Sequence, residues 1–103
     1  MRFLVLVTPV PDEAQVVTRA EALAGLHWLQ QKIADGTLAA AEAYPQTGGY
    51  MIMTAASRAA LAAALADYPL RRTIETDVRE LVSLDEGFGV LLNAVDAYEK
   101  ART

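Results

Sequence analysis

Two acids and an arginine alternate along one stretch of the chain, at the spacing that places side chains on the same side of a strand. Glu75, Asp77 and Arg79 occupy every second position there, and residues two apart in a strand share a face. A carboxylate that is partly desolvated in a cavity has a raised pKa and can transfer a proton at neutral pH. Glu75 and Asp77 are therefore candidate catalytic acids, and the structural alternative is a solvated face with cross-strand ion pairs.

His27 is the only histidine of the chain, and it falls at the edge of an apolar helical stripe. An imidazole with a reference pKa near 6.5 could serve as acid or base, which makes His27 a third candidate catalytic residue. A histidine at the boundary of a helix face is more often structural. One histidine without any cysteine does not build a common zinc site, so we expect no metal and no other cofactor.

Four further residues could bind or orient a substrate near these acids. Tyr44 and Tyr50 flank a predicted hairpin turn, where each could place a phenol near the strand carboxylates or simply pack as a strand aromatic. Glu42 shares a strand face with Tyr44 by parity and is a second candidate acid. Arg72 lies just before the alternating segment and could hold a developing oxyanion.

The N-terminal half of the sequence predicts a strand, a long helix and a hairpin. Residues 2–8 form an apolar run that prolines interrupt, as is typical of a strand. A helix is predicted from Asp12 or Glu13 to Asp35, with acids in its first turn and a glycine at its end. Two short strands, 37–46 and 48–54, are predicted around a glycine turn. The apolar stripe of the helix, which leaves Trp28 on the polar side, consists of Ala22, Leu26, Leu29 and Ile33.

The C-terminal half predicts a helix, the alternating strand and a final helix. Ser57 can cap the first of these helices, which Pro69 ends. Alternation from Thr73 to Leu84 predicts a strand with a single apolar face. Residues 86–101 predict an amphipathic helix. Its apolar stripe consists of Phe88, Leu91, Leu92, Val95 and Tyr98.

This order of elements is the ferredoxin-like βαββαβ arrangement, an α+β fold with a four-stranded antiparallel sheet, followed by a C-terminal helix. We predict one domain over residues 1–103, with a core of 1–85 and a final helix of 86–101. Two helices cover one face of such a sheet and leave the other face to be covered. A second copy of the chain is the expected cover, so we predict a homodimer or a higher homo-oligomer. We expect the final helix or a partner to cover Trp28 as well.

Composition argues against several classes of protein. A net charge of −4 without a cluster of lysines and arginines argues against nucleic-acid binding, which depends on clustered cations. The N-terminal apolar run ends too early for a membrane span or a signal peptide. The absence of cysteine permits a reducing compartment, so a cytoplasmic location is the expectation.

The segment from Leu65 to Leu81, LADYPLRRTIETDVREL, resembles muconolactone isomerases, which carry a similar Leu…Pro-Leu, then alternating acids, then Val…Leu. The resemblance implies a dimeric α/β barrel and a cofactor-free proton shift in a small lactone, within a cavity at the sheet. A second, weaker resemblance is to YCII-related proteins, in the run from His27 to Leu38, HWLQQKIADGTL. Both groups share one superfamily fold, so the two resemblances agree on architecture and differ on chemistry.

The leading hypothesis is a small-molecule isomerase that acts on a small, largely apolar carbonyl compound or lactone. Glu75, Asp77 or His27 would transfer the proton, and Tyr44 or Arg72 would help to hold an oxyanion. The same superfamily resemblance keeps open a polyketide-type cyclase or a cofactor-free monooxygenase of secondary metabolism. A non-catalytic ligand-binding or assembly domain is the alternative from another class.

Overall fold

A computed structural model describes residues 1–10, 17–45 and 47–102 of the chain. Within these residues the strands are β1 (Arg2–Pro9), β2 (Leu38–Ala43), β3 (Gly49–Thr54) and β4 (Ile74–Leu81). The helices are α1 (Arg19–Ala34), α2 (Arg58–Ala66) and α3 (Leu84–Arg102), and a short 3₁₀ turn, Arg71–Thr73, leads into β4. The predicted order of strands and helices is therefore the order of the structure.

The strands form one antiparallel sheet in the order β2-β3-β1-β4. In the central strand, Val5 lies opposite Val78, whereas Leu6 lies between Tyr50 on one side and Asp77 on the other. Residues that pair across an antiparallel ladder point to the same face of the sheet. Val5 and Val78 therefore face the helices, and the row of Leu6 faces away from them. This arrangement is the predicted ferredoxin-like α+β fold.

The core lies between the sheet and helices α1 and α2. Its buried side chains are Phe3, Val5, Trp28, Leu38, Met51, Met53, Leu61 and Tyr68. The prediction that Trp28 lies on the polar side of its helix is wrong, because Trp28 is only 8% exposed. Tyr68 of the same chain covers it, with ring centroids 5.0 Å apart and planes tilted by 59°.

The error at Trp28 comes from the helix face that α1 presents to the sheet. Gly25 and Trp28 are its buried residues, whereas Leu26 and Ile33 of the predicted stripe are 48% and 53% exposed. A Cβ on Gly25 would come within 2.8 Å of Leu70 Cδ1, so the glycine permits close packing at this point. Glycine has no apolar side chain that would mark a helix face in the sequence. The predicted apolar stripe of α1 therefore identified a different face from the one that packs on the sheet.

Two helix caps set boundaries that differ from the predicted ones. The α1 helix begins at Arg19 because Thr18 and Glu21 form a reciprocal capping box, in which Thr18 Oγ1 accepts from the Glu21 N–H at 3.1 Å. Predicted helical residues 12–16 lie outside the described residues. At the other end of the fold, Ser83 Oγ accepts from the Glu86 N–H at 3.1 Å and starts α3 at Leu84. The last strand therefore ends at Leu81, earlier than predicted.

Helix α3 adds nothing to the core, since none of its residues is buried. The molecule measures 63 × 32 × 25 Å, with a radius of gyration of 17.9 Å, whereas a compact domain of about 100 residues has a radius near 13 Å. The large apolar residues of α3 are between 41% and 79% exposed, and they are Leu84, Phe88, Val90, Leu91, Leu92, Val95 and Tyr98. The predicted apolar stripe is present, and its own chain leaves it uncovered.

The turn between β2 and β3 depends on Gly48. This residue has φ of +88°, and a Cβ there would lie 2.6 Å from the Val7 carbonyl oxygen. Gly36 has a similar φ of +83° but open space where a Cβ would stand. Gly36→Ala is expected to cost about 1–2 kcal/mol of unfolding free energy through backbone strain alone. Gly48→Ala adds a clash with backbone worth roughly 1–3 kcal/mol more.

Urea unfolding at one fixed protein concentration measures this difference, and Gly36→Ala is the matched control. Equal losses of unfolding free energy in the two variants would show that the close approach of the turn to β1 is not a constraint.

Candidate functional site

A cleft of about 390 Å³ opens between α1 and the end of the sheet that carries the β2–β3 turn. We refer to it as the α1 cleft. Its apolar walls are formed by Val7, Leu26, Leu29, Ile33, Leu70 and Ile74, among others. The polar residues that border it are Gln30, Glu42, Tyr50 and Tyr68.

A second cleft, of about 480 Å³, lies between α2 and β4. Its polar lining residues include Arg58, Arg71 and Thr76, and among the described residues no carboxylate lines it. Tyr68 lines both clefts and lies where they approach each other.

Glu42 and Tyr50 border the α1 cleft, but their side chains project to the other side of the sheet. They lie opposite each other on β2 and β3, in the row of Leu6 that faces away from the helices. The Tyr50 hydroxyl donates a hydrogen bond to Glu42 Oε1 there. This hydrogen bond is the main cause that raises the pKa of Tyr50 above its ordinary value of 10.0, with desolvation as a smaller cause. The phenol therefore stays protonated at neutral pH and keeps donating to the carboxylate, which it holds in place.

Tyr44 lies beside this pair at the exposed end of β2. Its backbone N–H donates to the Gly48 carbonyl at 2.9 Å, which closes the turn. Its charge when ionised adds a small contribution to the raised pKa of Tyr50, so the two phenols are neighbours. Three of the predicted site residues, Glu42, Tyr44 and Tyr50, therefore lie together at the β2–β3 hairpin.

The two strand acids lie on the face of the sheet turned away from α1 and α2, which we call the open face. Asp77 accepts from the Arg79 guanidinium at 3.2 Å, and both side chains are exposed. Glu75 is exposed opposite Thr8. Asp77 and Tyr50 lie on either side of Leu6 in one row of the sheet. Their strands, β4 and β3, are therefore two interstrand spacings apart, about 10 Å. In a single chain these acids form the solvated, ion-paired face that was the structural alternative.

His27 and Arg72 lie apart from the other predicted residues. His27 is exposed on α1, which packs against the side of the sheet opposite to Glu75 and Asp77. Arg72 is exposed in the 3₁₀ turn before β4. Neither side chain lines one of the two clefts. A single chain therefore does not bring His27 to the β4 acids.

Tyr68 is the residue of the cleft that sequence reasoning missed. It follows the α2 C-cap Asp67 and precedes Pro69, a pattern that predicts only a helix end. The buried position of its ring depends on packing against Trp28, which is distant in sequence. No local pattern carries that contact.

None of the helices in the described residues is long and apolar enough to cross a membrane. In the same part of the chain, no group of three or more histidine, cysteine, aspartate and glutamate side chains is placed to hold a metal ion.

The chain is similar to known proteins in structure, but no family model or curated protein matches its sequence. One similar structure is the 5-chloro-2-hydroxyhydroquinone dehydrochlorinase of Burkholderia phenoliruptrix AC1100, solved in complex with 2,5-dihydroxybenzoquinone. It superposes with a TM-score of 0.67 at 19% sequence identity, and the alignment covers 84% of this chain and 98% of that one. A muconolactone isomerase superposes with a TM-score of 0.65 at 21% identity, covering 81% and 90%. The chain therefore has a muconolactone isomerase-like fold.

Proposed function

We propose that this protein is a cofactor-free isomerase, resembling muconolactone isomerase, that moves a proton within a small carbonyl compound or lactone bound on the open face of the sheet. The observation that carries the proposal is the Glu42 carboxylate, which the Tyr50 hydroxyl holds on that face beside Leu6. A carboxylate is a suitable general base where a carbon acid is activated by a carbonyl group. The fold supports the same class of chemistry by analogy.

The reaction can be written for an α,β-unsaturated five-membered lactone, a butenolide. Its γ C–H is acidic because the resulting anion is delocalised onto the carbonyl oxygen. Glu42 takes the γ proton, the double bond shifts towards the ring oxygen side, and the same carboxyl returns the proton to the α carbon. The substrate and product have the same atoms, and nothing is oxidised or reduced. A hydrogen-bond donor at the carbonyl oxygen would stabilise the anion.

We also propose that a second copy of the chain completes the molecule in solution. Among the described residues two apolar surfaces have no cover in one chain: the exposed α3 stripe, and the centre of the open face around Leu4, Leu6 and Ile52, which are half-buried. Monomeric proteins rarely expose large contiguous apolar surface. In such an assembly the open face would become a cavity wall, and Glu75 and Asp77 would then be candidates for a role in the chemistry.

The non-catalytic alternative predicts binding on the same face of the sheet without turnover.

Deuterium incorporation tests the proposal directly. The purified protein is incubated with a butenolide in D₂O, and loss of the γ and α proton signals is followed by proton NMR. Exchange that is faster than in buffer alone, and proportional to protein concentration, is the expected result. Binding without accelerated exchange would overturn the isomerase proposal and leave the ligand-binding alternative.

A further inference from the structure

The cleft between α2 and β4, which we call the α2 cleft, is an apolar groove with a positive charge at each end. Arg58 is the first residue of α2, and Arg71 lies in the turn that follows α2. Both arginines line the cleft, so they border its opposite ends. The residues of the apolar walls between them include Leu61, Ala62, Leu65, Ile74 and Val78.

The charges of these two arginines are not balanced by an acid within the described residues. Arg58 lies over the Phe3 ring, 5.9 Å from the ring centroid. Arg71 donates from Nη1 to the Tyr68 carbonyl oxygen at 3.3 Å. In the same part of the chain, neither guanidinium forms a salt bridge with a carboxylate. A partner that fills the α2 cleft should therefore be apolar in its centre and acidic towards its ends.

Helix α3 has this chemistry along one side. Asp85 and Asp96 are eleven residues apart on one flank of its exposed apolar stripe, which places them about 16 Å apart along the helix axis. The nine residues of α2 span about 13 Å. The two acids are therefore spaced to reach the two ends of the cleft while the stripe between them contacts its apolar walls. The apolar contact provides most of the affinity, and the charges fix the orientation of the helix.

The α3 helix is also placed to reach a neighbouring copy. It begins directly after the Ser83 cap and runs away from its own core, so none of its residues is buried. Its 19 residues span about 28 Å. Because β4 is an edge strand, the α2 cleft lies at the edge of the sheet. Stacked sheets lie about 10 Å apart, so a helix of this length can pass the edge of a facing copy and reach the helix layer behind its sheet.

We propose that the α3 helix of a second copy docks in the α2 cleft, and that two copies exchange these helices reciprocally. Each copy has one α3 stripe and one α2 cleft, so a dimer with two-fold symmetry fills both clefts and covers both stripes. The exchange rests on the proposed assembly of two copies and is independent of the isomerase chemistry.

Crosslinking between introduced cysteines tests the exchange, since the chain has none of its own. The double variant Ala62→Cys with Leu91→Cys places one thiol in the α2 cleft and one near the middle of the α3 stripe. The variant is treated with a short bismaleimide, and the products are separated on a denaturing gel. The expected product is a covalent dimer of about twice the 11.1 kDa chain mass. Mass spectrometry of its tryptic peptides should show a bridge between positions 62 and 91.

The matched control is Ala60→Cys with Leu91→Cys, because Ala60 is exposed on the opposite side of α2 and lines neither cleft. This variant should form no bridge between the two helices. A bridge between positions 62 and 91 within a monomer would show that α3 folds onto its own cleft and would overturn the exchange, as would equal bridging in both variants. Absence of the bridge in a protein of dimer mass by light scattering would overturn the exchange alone, whereas a monomer mass would overturn the two-copy assembly as well.

Discussion

Replacing Glu42 with glutamine is expected to lower the rate of deuterium exchange by roughly 10²-fold to 10⁴-fold, the usual contribution of a positioned general base. Glutamine has nearly the same shape, and its amide oxygen can still accept from the Tyr50 hydroxyl that now holds the carboxylate. It cannot accept the substrate proton at neutral pH. The measurement is proton NMR of butenolide in D₂O at equal protein concentrations.

Glu80→Gln is the control for this substitution. Glu80 is an exposed strand acid opposite Phe3, and it lines neither cleft. The Glu80→Gln variant should catalyse deuterium exchange at the rate of the unmodified protein. If Glu42→Gln also keeps that rate while circular dichroism shows a folded protein, Glu42 is not the base. The same assay applied to Asp77→Asn and Glu75→Gln would then decide whether the other open-face acids carry the chemistry.

Removing the apolar character of α3 is expected to dissociate the assembly. The unmodified chain should have at least twice the 11.1 kDa monomer mass in light scattering. Phe88 and Leu92 lie one turn apart on the exposed stripe. Each large apolar side chain contributes about 1.5–3 kcal/mol when fully buried. The double variant Phe88→Asp with Leu92→Asp should therefore raise the dissociation constant by roughly 10²-fold to 10⁴-fold.

The control places the same two charges on the opposite side of α3, in the double variant Asn93→Asp with Ala97→Asp. This variant should keep the mass of the unmodified chain. A monomeric unmodified chain would contradict the assembly proposal outright. Equal dissociation of both double variants would indicate that charge on the helix, rather than the apolar stripe, controls the mass.

Local sequence patterns were sufficient for the architecture because the strands and caps depend on neighbouring residues. Alternation around Val78 identified the last strand, and the Gly48 turn fixed the register in which β2 and β3 pair. Strand parity also placed Glu42 and Tyr44 on one side. Their neighbour Tyr50 was a separate candidate, and its pairing with Glu42 follows from the register.

Contacts between distant segments were not predictable in the same way. The burial of Trp28 depends on Gly25, which does not mark an apolar helix face because it has no side chain, and on Tyr68, which follows α2 in the sequence. His27 and Asp77 were considered together because both can transfer protons, but helix packing on one face of the sheet separates them. A candidate site therefore required the register and the helix orientation, and neither can be read from residue types alone.

The central claim is that a small carbonyl ligand binds on the open face beside Glu42, and mapping of amide chemical shifts during a butenolide titration tests it most directly. We predict that the shifts concentrate at Leu6, Tyr50 and Asp77, which share one row of that face. Shifts concentrated at Leu26, Leu29 and Leu70, which line the α1 cleft, would contradict the account and move the site to the other side of the sheet.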